Sequence, residues 1–282
     1  MVFQDKKDVL REWRESAPYW AKHYGIIRSM LAPITTALIE AAAIEEGHSA
    51  LDVAGGSGEP SITIAQSFGP PTWVTCTDAV FEMVTMARRE ARHRGLTNID
   101  FTDCGAEALP FESNTFDVAI CRLGVMLFPD PVAAIGEMLR VVRAAGRVAF
   151  AVWDARDSNP FFQVVAAIVS RYVESPPEDP EAPGAFRFAE RGKLAALLSD
   201  AGMVQVTERL LKFTLEAPLT PLQFWEVRTE LSDTLRTKVA GLSKEQVARL
   251  AQEVEEAGRA FYEAGRMRFP AAVLIVAGSK EE

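Results

Sequence analysis

Residues 51 to 61, LDVAGGSGEPS, set three glycines between an apolar run and an amphipathic one. Leu51 and Val53 are strand residues. Gly55, Gly56 and Gly58 allow backbone angles, and a closeness to a ligand, that a Cβ would block. Pro60 suits a first helical turn, so ITIAQSF should follow as a helix whose free N–H groups face an anion or carboxylate. Asp78 closes the next apolar run, WVTCT, and supplies a carboxylate about twenty residues beyond the loop, where a ribose would meet it. A bare strand-to-helix turn would leave Asp78 unexplained.

Two ligands compete for such a loop. A dinucleotide fingerprint, G-x-G-x-x-G, fits Gly56 and Gly58, but Ser61 holds the third position. The pattern Asp52-x-Ala54-x-Gly56-x-Gly58 resembles motif I of class I S-adenosylmethionine (SAM) methyltransferases, D/E-x-G-x-G-x-G. Ala54 stands where that family has its first glycine, which requires a negative φ at position 54. TDAVFEMVTMARREARHRG, residues 77 to 95, resembles the family's second strand and helix, and residues 105 to 153 resemble the UbiE/COQ5-like small-molecule methyltransferases. There the usual D-A-E-x-L-P-F begins with Gly105 instead of aspartate, which leaves the adenine amine to Asp103 or to the backbone at Ala106. The resemblance is firm over residues 15 to 155 and returns at FPAAVLIVAGSK, which is similar to the family's last strand. It implies SAM as cofactor and S-adenosylhomocysteine as product. It places Asp52, Ala54, Gly55, Gly56, Gly58, Asp78, Ala79, Met83, Gly105, Ala106 and Glu107 around the nucleoside. Arg122, Leu123 and Met126, after the fourth strand, would lie beside the methionine part, with Tyr24 folded over it.

To position these groups the chain must alternate strand and helix. Strands are expected near 50–54, 73–77, 98–102, 116–121 and 147–153, then VQVTERLLKFTLE and FPAAVLIVAG. The expected architecture is α/β, a doubly wound, seven-stranded Rossmann-like sheet with its last strand antiparallel. Helices over 5–24 and 28–45 form an N-terminal cap, and Gly146 reads as a left-handed C-cap. SNPFFQVVAAIVSRYV reads as a helix, ESPPEDPEAPG as an exposed loop, and ERGKLAALLSDAG as a helix ending at Gly202. Two further helices, 220–241 and 243–265, start at N-caps Thr220 and Ser243, with Glu245 in a first turn, and end at Gly241 and Gly265. The domains read as a cap over 1–46, a SAM-binding core over 47–217, a helical insertion over 218–267 and a returning strand over 268–282. The insertion is either a lid or a stability or dimer contact, and a homodimer stays open.

At 282 residues with a net charge of −9, the chain buries a large core and offers no cationic face to a phosphate backbone, so nucleic acid is not expected. No signal peptide or membrane span is expected, which points to the cytoplasm. Cys76, Cys104 and Cys121 read as reduced thiols, and no cysteine–histidine spacing asks for a metal.

The chemistry implied is displacement at a sulfonium methyl by a small acceptor. Alignment dominates it, since well-oriented reactants reach effective molarities of roughly 10⁵ to 10⁸ M. Trp20, Tyr24, Trp153, Phe161, Phe162, Phe224, Trp225 and Tyr262 are candidate walls for an aromatic or lipophilic acceptor. His23 is the candidate proton acceptor, against a solvated surface histidine. A nicotinamide oxidoreductase and a non-catalytic SAM-binding regulator are the rival classes.

Overall fold

Ala50, Leu51, Asp52 and Val53 are buried in the central strand of a sheet covered on both faces, as a near-continuous apolar run requires. The computed structural model describes residues 6–174 and 179–282. Residues 1–5, the last of which begins the first expected helix, and 175–178, within the expected loop, lie outside the described residues.

Two helices, α1 (Lys6–Lys22) and α2 (Tyr24–Ala42), precede β1 (Ser49–Val53). Then come α3 (Ser61–Phe68), β2 (Trp73–Asp78), α4 (Phe81–His93), β3 (Ile99–Asp103) and β4 (Phe116–Arg122). The second half holds α5 (Pro131–Val141), β5 (Val142–Trp153), α6 (Pro160–Val169), α7 (Lys193–Asp200) and β6 (Met203–Ala217). Last are α8 (Pro221–Leu231), α9 (Asp233–Ala240), α10 (Lys244–Gly258), β7 (Tyr262–Glu263) and β8 (Arg266–Lys280). The strands lie in the order β3-β2-β1-β4-β5-β8-β6, and β8 runs antiparallel to both β5 and β6. Seven long strands were expected. The two-residue β7 is an addition, paired to β8.

The chain winds outward from β1 to β3 and then returns to lay β4 on the other side of β1. Connections therefore leave the carboxyl ends of β1 and β4 in opposite directions, opening a crevice where doubly wound sheets bind ligands.

Four expectations change. Gly146 caps no helix: α5 runs directly into β5, and the positive φ of 59° falls on Ala145. Glycine is required because a Cβ at position 146 would sit 2.7 Å from the carbonyl oxygen of Asp117 on β4. The helix expected over 220–241 breaks at Ser232, which turns extended and accepts a hydrogen bond from the Leu235 N–H to cap α9. The helix expected over 243–265 ends at Gly258, and Ala264 and Gly265, with φ of 49° and 79°, make the tight turn of the β7–β8 hairpin. Finally, α2 is long and apolar enough to span a membrane by length and composition, although no such run was expected. Its Ile27, Met30, Leu31, Ile34 and Leu38 are buried in the main core.

The other caps follow the sequence. Thr220 and Ser243 each close a capping box with Gln223 and Gln246. Gly241 ends α9, and Gly202 takes φ 91° after α7.

Candidate functional site

A cavity opens at the switch point between β1 and β4. Its floor is the loop after β1, with Ala54, Gly55, Gly56 and Ser57, and Asp78 stands at the end of β2 opposite them. The Gly56 N–H donates to Asp78 Oδ2 at 3.0 Å and the Val80 N–H to Oδ1 at 2.9 Å. Each oxygen keeps a lone pair for a further donor. Desolvation outweighs these bonds and lifts the carboxyl to about 6.

Ala54 does not have the negative φ expected of it. It sits at φ 59°, a left-handed strain of roughly 1–2 kcal/mol for a residue with a Cβ. The next N–H, of Gly55, bonds the Thr77 carbonyl at 2.9 Å, and the Thr77 hydroxyl bonds the Asp52 carbonyl at 3.1 Å, so β1 and β2 clamp the turn. The facing residue is Gly124, where a Cβ would lie 2.7 Å from that of Ala54. The methyl absent from one side of the turn is present on the other.

Asp52 lies behind the loop, fully buried, and is not part of the cavity wall. Its Oδ2 accepts the Ser61 N–H at 3.1 Å and the Ser61 hydroxyl at 2.6 Å, while Oδ1 has no partner among the described residues. Burial pushes this carboxyl up to about 6 against the Ser61 bonds. The first N–H groups of α3 are therefore spent on Asp52 and on the Gly58 and Pro60 carbonyls, so the expectation that they face the ligand is corrected. Gly58 is held back by packing, since a Cβ there would meet Ile62 at 2.7 Å.

Ala79, Met83, Gly105, Ala106, Glu107, Arg122 and Leu123 line the cavity as expected. Asp103 is exposed and outside it, so of the two substitutes for the family's aspartate the structure brings up Ala106. Met126 is buried, and its carbonyl accepts the Gly184 N–H. Arg122 donates to the Thr35 hydroxyl at 2.7 Å, and desolvation lowers its pKa despite Glu59 and Asp52 nearby.

Tyr24 and His23 do not line the cavity. Helix α1 stops at Lys22 and α2 starts at Tyr24, so the single 3.6-residue stripe that would place Trp20 and Tyr24 together is interrupted. The His23 Nε2 meets Glu230 Oε2 on α8 at 2.5 Å, and Lys22 Nζ meets Oε1 at 2.6 Å. Those two bonds hold the Glu230 pKa down against its own desolvation. His23 is neither a solvated surface histidine nor a cavity base; it ties α1 to the insertion. Arg236 on α9 adds to that tie, donating to Ser16 at 2.8 Å and lying 4.8 Å from the Tyr19 ring centroid. The Tyr24 hydroxyl donates to Glu59 at 3.3 Å.

Of the expected acceptor walls only Trp20 borders the cavity. Trp153, Phe161, Phe162, Phe224 and Phe269 pack on one another with centroids 4.8 to 5.6 Å apart, a filled cluster between α6, α8 and β8. Trp225 is buried, and Tyr262, on the hairpin, is 40% exposed. Cavity walls that were missed include Val9, Leu10 and Trp13 of α1, Leu31, Ser57, Glu59, Val80, Cys104, and Leu127 to Pro129. The spacing of Val9, Leu10, Trp13, Ala17 and Trp20 is an apolar helical stripe that would have found the first three. Trp13 and Trp20 pack at a tilt with centroids 5.4 Å apart, and the Trp20 Nε1 is buried with no partner among the described residues.

The ubiE/COQ5 methyltransferase family model matches residues 35–170. An uncharacterized protein of Mycobacterium tuberculosis is 34% identical over 146 residues, 52% of this chain and 51% of that protein. The ubiquinone/menaquinone biosynthesis C-methyltransferase UbiE of Cellvibrio japonicus is 37% identical over 111 residues, 39% of this chain and 45% of that enzyme. The chain thus spans about half the length of the curated relatives it matches. The YcgJ protein of Bacillus subtilis superposes with a TM-score of 0.56 at 21% identity, covering 88% of this chain and 98% of that one, which shows a shared fold. The match to the ubiE/COQ5 methyltransferase family model thus spans just under half of the chain, and the sheet and its helices have the α/β Rossmann-like methyltransferase fold.

Proposed function

We propose that the protein binds SAM and transfers its methyl group to a small acceptor with an apolar or aromatic body. The observation that carries this is Asp78, fixed by two backbone N–H groups opposite Gly55 and Gly56 in a single cavity roofed by Trp13 and Trp20. The residues present suit the cofactor. Asp78 offers a carboxylate with two free lone pairs to vicinal hydroxyls, Val80 and Met83 are apolar flanks for a base, and Ala106 offers backbone. Arg122 and the orphaned Trp20 N–H are donors for a carboxylate. When bound, SAM supplies an electrophilic methyl on a sulfonium.

The chain's own contribution is enclosure and alignment. Val9, Leu10, Trp13 and Trp20 exclude water from the mouth, and the Lys22–His23–Glu230 clasp holds α1 in place from behind. An acceptor nucleophile that is already deprotonated, or an amine whose lone pair is free, needs no base in such a site. We assign residues 1–46 and 218–267 to one cover, with the insertion acting as its buttress, and 47–217 with 268–282 to the core. The three free thiols suit the reducing cytoplasm.

The test is thermal denaturation with S-adenosylhomocysteine and with NAD. The homocysteine product should raise the melting temperature and NAD should not. Stabilisation by NAD alone would overturn the proposal.

A further inference from the structure

The wall of the cavity carries two unlike charges that do not meet. Glu59, in the turn between β1 and α3, and Arg122, at the end of β4, both line it, and Glu59 is 4% exposed. Glu59 Oε1 accepts from Arg28 Nε at 2.7 Å and from the Tyr24 hydroxyl at 3.3 Å, while Oε2 accepts from the Thr63 hydroxyl at 2.6 Å. A carboxylate has about four acceptor positions, so one on Oε2 stays open. Arg122 donates to the Thr35 hydroxyl at 2.7 Å and forms no ion pair among the described residues. Burial lowers its pKa, and of the groups that oppose burial Glu59 acts most strongly. The two charges are thus near enough to feel each other and too far apart to bond.

Helix α2 holds them separately. Arg28 and Thr35, which anchor Glu59 and Arg122, both lie on it, about 10 Å apart along its axis. A buried ion without a full partner is costly, and here an anion and a cation each keep unused bonding capacity in one wall. That arrangement is complementary to a zwitterion, whose own two charges would complete both. Asp78 is on the other side of β1 from Arg122, at the end of β2. Arg228 on α8 is likewise desolvated, but its guanidinium carbon lies 4.6 and 5.0 Å from the Phe161 and Phe162 centroids in the filled ring cluster, outside the cavity wall.

We propose that Glu59 receives the α-ammonium of the SAM tail on the open position of Oε2, with the α-carboxylate on Arg122, so that two side chains anchored to the cap helix α2 select the tail as a zwitterion. This rests on the methyltransferase reading above. Glu59 is a specificity residue: it grips the end of the cofactor remote from the base and takes no part in the transfer.

The test is calorimetry on the full chain with three ligands: S-adenosylhomocysteine, its deaminated analogue, in which hydrogen replaces the ammonium, and its decarboxylated analogue. The wild type should bind each analogue about tenfold or more weakly than the parent. Glu59→Gln should weaken the parent and the decarboxylated analogue by a similar factor and leave the deaminated analogue within about threefold of its wild-type affinity. Arg122→Met should do the mirror image, sparing the decarboxylated analogue. Glu59→Asp, which keeps the charge, should retain part of the preference for the ammonium. A residue that only supports the fold would weaken all three ligands alike. Equal binding of parent and deaminated analogue by the wild type, or an equal loss of both in Glu59→Gln, overturns the proposal. Parent binding by the wild type separates the two readings: its presence with no preference for the ammonium sinks the Glu59 assignment alone, and its absence sinks the methyltransferase.

Discussion

Two apolar regions share the carboxyl edge of the sheet, and each contains aromatic rings and one desolvated arginine. At the end of β1 and β4, strand ends and glycines leave a cavity open, with Asp78 and Arg122 at its border. At the end of β5, rings from α6, α8 and β8 fill the equivalent space around Arg228. Ring content is higher in the filled region. Aromatic residues report burial, and a vacancy is reported by the backbone that fails to fill it.

The comparison breaks most visibly at Phe224, which is fully buried and touches Phe161 and Phe269. Phe224→Ala should cost about 3–5 kcal/mol of stability, read by denaturant unfolding, and leave the affinity for S-adenosylhomocysteine unchanged below the transition. An equal loss of affinity would mean the two regions are one site.

Asp78→Ala should do the reverse. Charge-assisted bonds to two hydroxyls are worth about 1.5–3 kcal/mol, so calorimetry should find affinity reduced about tenfold to a hundredfold with the fold intact. Stability should hold or rise at neutral pH. The carboxyl is raised to about 6 in the folded chain, so the native state keeps a proton that the unfolded chain has released, and its contribution to stability falls as pH rises through that window. The same raised value makes cofactor affinity pH-dependent: at pH 5 it should be about tenfold weaker than at pH 7. Asp78→Asn should flatten that profile.

The smallest expected effect is at His23. With its ring bound to Glu230 and away from the cavity, His23→Ala should cost about 1 kcal/mol of stability and change kcat less than threefold, with no lost inflection between pH 6 and 7. A hundredfold loss of kcat would restore it as a base.

The cofactor half was legible because backbone demands leave residue types behind. Gly55 and Gly56 mark the turn, Asp78 marks the strand end, and Thr220 and Ser243 mark helix starts. Ala54 defeated the reading because a left-handed alanine is tolerated only when another residue makes room, and Gly124 is 70 positions away in sequence. The acceptor half was misplaced for the same kind of reason. Whether Phe161 and Trp153 wall a pocket or fill a core depends on what α8 and β8 bring against them, which no local pattern encodes. Ser232 shows the intermediate case, a local N-cap signal hidden inside a helical period.

The central claim is that Asp78 receives the ribose of SAM in the crevice between β1 and β4. A crystal structure with S-adenosylhomocysteine bound tests it most directly. The account predicts both ribose hydroxyls within about 2.5–3.0 Å of the Asp78 carboxylate oxygens, with the base beside Met83 and Ala106. A bound molecule whose ribose lies elsewhere, with Asp78 still holding only its two backbone N–H groups, would contradict it.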